Sequence, residues 1–122
     1  MSLNFIQMSE VRVLINRYEE NGCVIINVNF NWARNVYDVF DGIKRTLPLD
    51  PPLYSKCNFD ALSDSIFGGL DSLGESEICV FLVGVKDALK NDRGSYDTLL
   101  DIFSDNESEF ENEGKKILFF IS

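Results

Sequence analysis

Two aspartates four residues apart, Asp60 and Asp64, are the side chains of this sequence best spaced to act together. If the segment around them is helical, that spacing puts both carboxylates on one face. Phe59, Leu62, Ile66 and Leu70 form the opposite stripe, so the aspartates look outward. Three uses are open to them. Exposed charge is most often a solvated face. A glycosidase pair needs a set separation and one raised pKa, and nothing nearby supports that. The third use is a docking surface for a cationic partner. A second acidic stretch runs from Asp105 through Glu107, Glu109 and Glu111 to Glu113. Blocks of like charge are usually solvated, but this one precedes an apolar strand and so is not a free tail.

Other chemistry is thinly provided for. The chain has no histidine, the commonest general acid–base near neutral pH. That argues against many hydrolases and nucleases, while a carboxylate-dependent hydrolase survives the test. Cys23, Cys57 and Cys79 form no CxxC pair. Cys23 and Cys79 sit in apolar runs, as buried structural thiols do, so no metal site or cofactor is expected. Gly68-Gly69 and the other glycines lack the spacing of a phosphate loop, and GxSxG is absent. The dipeptide reads instead as a weak helix end. A formal charge of −9 repels nucleic acid and anionic membrane and favours basic proteins or cations.

The elements that must carry these residues follow from periodicity. Val11-Arg12-Val13-Leu14-Ile15, then Asn21-Gly22, then Cys23-Val24-Ile25-Ile26-Asn27-Val28 read as an antiparallel hairpin over residues 11–28, because Asn-Gly favours tight hairpin turns. From Asn31 as cap, Trp32, Val36, Val39, Phe40, Ile43 and Leu47 form one helical stripe, which Pro48 ends. Residues 49–57 hold Pro51-Pro52 and read as an extended loop. Asn58 caps the helix that carries Asp60 and Asp64. Ile78-Cys79-Val80-Phe81-Leu82-Val83 is apolar on both alternating faces, the signature of a covered central strand. A short helix over Val85–Leu89 follows, and a longer one from about Ser95 into the acidic run, where glutamates near its end oppose the dipole and favour fraying. Gly114 stops it, and Ile117-Leu118-Phe119-Phe120-Ile121 closes the chain.

Strands separated by helices require parallel pairing. The expected fold is α/β: three parallel strands packed with helices, plus an N-terminal edge strand or hairpin. At 122 residues one domain is expected, with residues 1–22 as an extension and 23–122 as the core. No apolar run is long enough to span a bilayer. The start, Met1-Ser2-Leu3-Asn4-Phe5-Ile6, does not read as a signal peptide. A soluble, cytoplasmic protein is expected.

Taken together, Leu47-Pro48, Tyr54 and Asn58-Phe59-Asp60-Ala61-Leu62-Ser63-Asp64 resemble the inhibitory loop and second helix of the barstar family of ribonuclease inhibitors. A looser likeness covers Leu99-Leu100-Asp101-Ile102-Phe103, Gly114 and the final strand. The resemblance implies a non-enzymatic immunity protein whose partner is a basic, extracellular-type ribonuclease or related toxin. It implies that Asp64 enters the nuclease phosphate site and that Asp60 makes a second contact on the same face. Tyr54 stands near the position of a loop tyrosine that packs on the enzyme. Asp105, or Glu107 if an insertion shifts the register, matches a glutamate on the last helix. Asn58 and Ser63 complete the expected contact set. Ser63 stands where the family often has a tryptophan, and Pro51-Pro52 rebuild the loop. These departures leave an alternative: a barstar-like acidic scaffold for a different basic protein.

Overall fold

A computed structural model describes residues 3–122. Met1 and Ser2, the first two residues of the segment in which no signal peptide is read, lie outside the described residues. The elements run β1 (Asn4–Phe5), a 3-10 turn (Met8–Glu10), α1 (Val11–Glu20), β2 (Val24–Asn29), α2 (Val36–Thr46), α3 (Phe59–Ser72), β3 (Glu77–Val83), α4 (Val85–Ala88), α5 (Arg93–Asn112) and β4 (Lys116–Ile121). The strands form one sheet in the order β1-β4-β3-β2, with every pairing parallel. No helix among the described residues is long and apolar enough to cross a membrane.

Alternation along the strands sends successive side chains to opposite faces. On the front face, Val28, Ile78, Val80, Leu82, Ile117, Phe119 and Ile121 meet apolar residues of α2, α3, α4 and α5. On the back face, Cys79, Phe81, Val83 and Phe120 meet Val11, Leu14, Ile15 and Tyr18 of α1. Phe81 and Phe120 stack at 4.5 Å between ring centroids, and Tyr18 lies 5.4 Å from Phe120. Burial on both faces explains why β3 is apolar at every position from Ile78 to Val83. The chain passes from β1 to β2 across the back and returns through β3 to β4 across the front. Reversing direction and face together keeps parallel crossovers of one hand.

The expected hairpin over residues 11–28 is not formed. Val11, Leu14, Ile15 and Tyr18 have the helical spacing of three, one and three, and α1 uses that stripe to cover the back of the sheet. Asn21-Gly22 ends this helix rather than turning a hairpin. Asn21 has φ −88°, outside the left-handed region that the favoured hairpin turn demands. Gly22, at φ +86°, is the C′ residue. Its N–H donates to Glu19 O at 3.0 Å and that of Cys23 donates to Tyr18 O at 3.0 Å, a Schellman closure. The expected N-terminal edge strand exists, but as Asn4–Phe5, parallel to β4 at Phe120 and Ile121.

Helix α2 also starts later than its apolar stripe suggests. Asn35, not Asn31, is the cap, accepting from Asp38 N at 2.9 Å. Trp32 lies before the helix, 45% exposed, with the Arg45 guanidinium 5.3 Å from its ring centre. Helix α5 begins at Arg93, two residues before Ser95, because Asp92 caps it through Ser95 N. It does not fray through the acidic run but continues to Asn112, where Gly114 is again the C′ residue at φ +77°.

Candidate partner-binding site

Helix α3 sets the geometry. Asn58 accepts a hydrogen bond from Ala61 N at 3.0 Å, so its side chain fixes where the helix starts and thus where the aspartates point. Leu62, Ile66 and Leu70 are fully buried. Asp60 and Asp64, on the far side, are exposed, as the sequence expects. Asp60 lies in the first turn, where the helix dipole favours its negative charge.

The loop ahead of α3 is clamped to the middle of that helix. Asp50 N donates to Ser65 O at 3.0 Å. A Cβ on Gly68 would collide with the Asp50 carbonyl, and one on Gly69 with the Pro48 carbonyl. Gly68-Gly69 is therefore not a helix end, because α3 runs on to Ser72. The pair is a seat that lets the loop backbone touch the helix backbone. Further along, Leu53 turns inward while Tyr54 is 89% exposed. Burial first, and then the Asp92 carboxylate, push the Cys57 thiol up. The three cysteines are free. Cys79 is pushed up to about 12, by burial first and then by its neighbour Cys23, so it is an inert core thiol.

Packing of α3 against α5 opens a cleft of about 410 Å³, lined by Ser63, Asp64, Phe67, Gly68, Asp105, Asn106 and Glu109. It brings together three residues expected from the sequence: Ser63, Asp64 and Asp105. Tyr54, Asn58 and Asp60 do not line it. Phe67 stacks on Phe110 at 4.5 Å, joining the two helices below the cleft. The Lys115 ammonium, 2.7 Å from the Asp71 carboxylate, ties the far end of α3 to the turn after α5.

Glu107 must be withdrawn from the contact set. It is 2% exposed and turned toward the sheet edge. Its Oε2 accepts from Phe119 N at 3.3 Å, and its Oε1 has no hydrogen-bond partner. Strand β1 pairs only with Phe120 and Ile121, so Glu107 supplies an acceptor for the residue just beyond it. Burial pushes its carboxyl up, the Phe119 N–H opposes that shift, and Glu111 adds to it. A shift of two positions along α5 rotates a side chain by about 200°. That rotation is why Asp105 faces the cleft and Glu107 faces the core.

Sequence reasoning missed Glu109, Asn106 and Phe67. Glu109 was legible as the residue four beyond Asp105, hence on the same face. Asn106 carried a subtler signal: it falls on the stripe Leu99-Phe103-Asn106-Phe110, where a polar residue interrupts a buried row. Among the described residues no cluster of side chains is arranged to hold a metal ion.

No significant match is found among curated proteins. The family model described as Barstar (barnase inhibitor), however, matches residues 24–122. That span starts at β2 and takes in the front-face helices, the clamped loop and the acidic cleft, leaving β1 and α1 outside it. The chain belongs to the barstar family.

Proposed function

We propose that this protein is a non-enzymatic inhibitor of a basic ribonuclease, occupying the enzyme's RNA site with carboxylates held on a rigid scaffold. The observation that carries this reading is the outward placement of Asp64 and Asp105 around one cleft, with Asp60 exposed one turn away on α3. None of the three makes an ion pair within the described residues, so their negative charge is available to a partner. A ribonuclease holds its polyanionic substrate with arginine and lysine, and carboxylates can satisfy the same donors. The chain's net charge of −9 speeds encounter with such a protein. Tyr54 supplies an exposed aromatic on the loop beside this face, the residue type enriched where binding energy concentrates. Asn58 acts through the cap, and Ser63 lines the cleft wall.

The experiment is to mix the protein with a panel of small basic ribonucleases and measure RNA cleavage. Stoichiometric inhibition of one of them, lost in Asp64→Ala, is expected. If none is inhibited, or if Asp64→Ala inhibits equally well, the reading is wrong. The open cleft at Ser63 favours a second reading, a scaffold for a different basic protein. Capture of a basic partner devoid of nuclease activity would select it.

A further inference from the structure

The two edges of the sheet end differently. On the β1 side the outer strand is two residues long, and Glu107 accepts from the next outward amide of β4, that of Phe119. Short edge strands and inward-pointing charges are common ways to keep a sheet from pairing further. On the opposite side β2 runs for six residues, Val24–Asn29. Phe30 N donates to Val83 O at 2.7 Å, so alternation turns the N–H and C=O groups of Ile25, Asn27 and Asn29 away from β3. Among the described residues no backbone group pairs with them. From Cys23 to Phe30 the chain has neither a charge nor a proline. This edge is unguarded.

A groove of about 410 Å³ lies along the edge on the back face, between β2 and α1. Val11, Ile15, Ile25 and Val83 make part of its lining apolar, and Asn27 and Asn29 beside them are exposed. It shares no residue with the α3–α5 cleft. Helix α1 runs back along the sheet to start β2. Its first turn therefore lies toward the Asn29 end, and its last turn lies at Cys23, whose N–H donates to Tyr18 O. Arg12 in the first turn lines the groove. Glu19, seven residues on, shares its face at the other end. Both are exposed, and neither makes an ion pair within the described residues.

We propose that the β2 edge is the interface of a homodimer, in which a second copy of this chain lays its own β2 antiparallel to this one. A twofold axis at Asn27 sets that residue against Asn27 of the second copy and sets Ile25 against its Asn29. The three outward residues of each strand then exchange backbone hydrogen bonds with the other. The charge pattern selects a second copy over any other extended strand. The same axis reverses α1, bringing Arg12 of each copy level with Glu19 of the other, so one pair of opposite charges forms twice. The uncharged strand lets two chains of net charge −9 meet away from their acidic clefts. The pairing takes nothing from the reading given to those clefts.

Sedimentation equilibrium of the full chain at about 0.15 M salt, where net repulsion is screened, measures the assembly. A dimer whose share grows with concentration is expected, with slowed amide exchange at Ile25, Asn27 and Asn29. Asn27→Lys sets like charges on the axis at an exposed position. It should weaken the dimer about a hundredfold and leave a folded monomer by thermal melting. Arg12→Glu should weaken the dimer about tenfold, and adding Glu19→Arg should restore most of that loss. A monomer up to about 1 mM, a dimer indifferent to Asn27→Lys, or a double variant no better than the single one would overturn the proposal. Protection of those amides only by a foreign extended peptide would overturn it too. No nuclease takes part, so failure here and failure of the inhibition assay are separate results.

Discussion

The acidic residues of α3 and those of α5 are chemically alike and meet different fates. On α3, Asp60 and Asp64 are both exposed, because a spacing of four keeps them on one face whose opposite stripe is sealed under Leu62 and Ile66. On α5 the acids follow one another at intervals of two. The helix turns them alternately toward the cleft at Asp105 and Glu109 and toward the sheet edge at Glu107. The difference teaches that charge count along a helix says little about where charge is delivered. Helical phase relative to the buried stripe decides it.

Asp64→Ala bears hardest on the α3 half of that contrast. Inhibition of the cognate nuclease should weaken by about 2–5 kcal/mol, the usual cost of removing one partner of a desolvated interfacial charge pair; the barnase–barstar complex is itself among the systems behind that range. Isothermal titration would measure it, and thermal melting of the free variant should stay near that of the wild type. An equal loss on changing any exposed acid would erase the distinction between the two helices.

Gly68→Ala attacks the seat of the loop. The added methyl meets the Asp50 carbonyl, and overpacking against backbone costs about 1–3 kcal/mol. Lower stability in urea, together with weaker inhibition, is expected, because the loop carrying Tyr54 shifts. Unchanged stability would show that the loop is not clamped there.

Glu107→Gln sharpens the α5 half. Burial raises the folded carboxyl above its ordinary value of 4.5, so the folded state holds the proton more tightly than the unfolded chain. That contribution is fully present below the unfolded value and is lost as pH rises through the folded one. The glutamine variant has no such loss. It should match the wild type near pH 4 and become more stable by on the order of 1 kcal/mol at neutral pH. Denaturant titrations at the two pH values would check the sign. A gap that shrinks as pH rises would contradict the burial of this group.

Asp97→Asn is the smallest change. It breaks an exposed pair with Arg93, 3.0 Å long, of a kind worth about 0–1 kcal/mol. Inhibition should be unaffected, since Asp97 does not line the cleft, and a marked loss would mean that the acidic surface acts as a diffuse field.

Much of the front of the molecule was legible in the sequence. The strand at Ile78–Val83, the closing strand, the cap at Asn58 and the stop at Gly114 all follow from local pattern and cap chemistry. Helix α1 was not. Its β-branched start and Asn-Gly end fit a hairpin as well as a helix, and only the uncovered back face of the sheet selects the helical stripe. The two-residue β1 has no pattern at all and exists by pairing with β4. Of the site, the α3 residues could be read because four residues span one turn. Asn106 was readable only as a polar break in the stripe Leu99-Phe103-Asn106-Phe110; that it lines the cleft shows only once α5 is packed on α3.

By itself the sequence determined a parallel α/β arrangement and two aspartates facing away from their own helix's core. Short-range spacing and capping suffice for both, since each is settled within a few turns of chain. Only the tertiary structure decided that Asp64 and Asp105, 41 positions apart in the sequence, flank one cleft, and that Glu107 between them and the final strand is buried. Those outcomes depend on how α5 is rotated as it packs on α3 and β4, a quantity set by side-chain fit across elements and written in no local stretch.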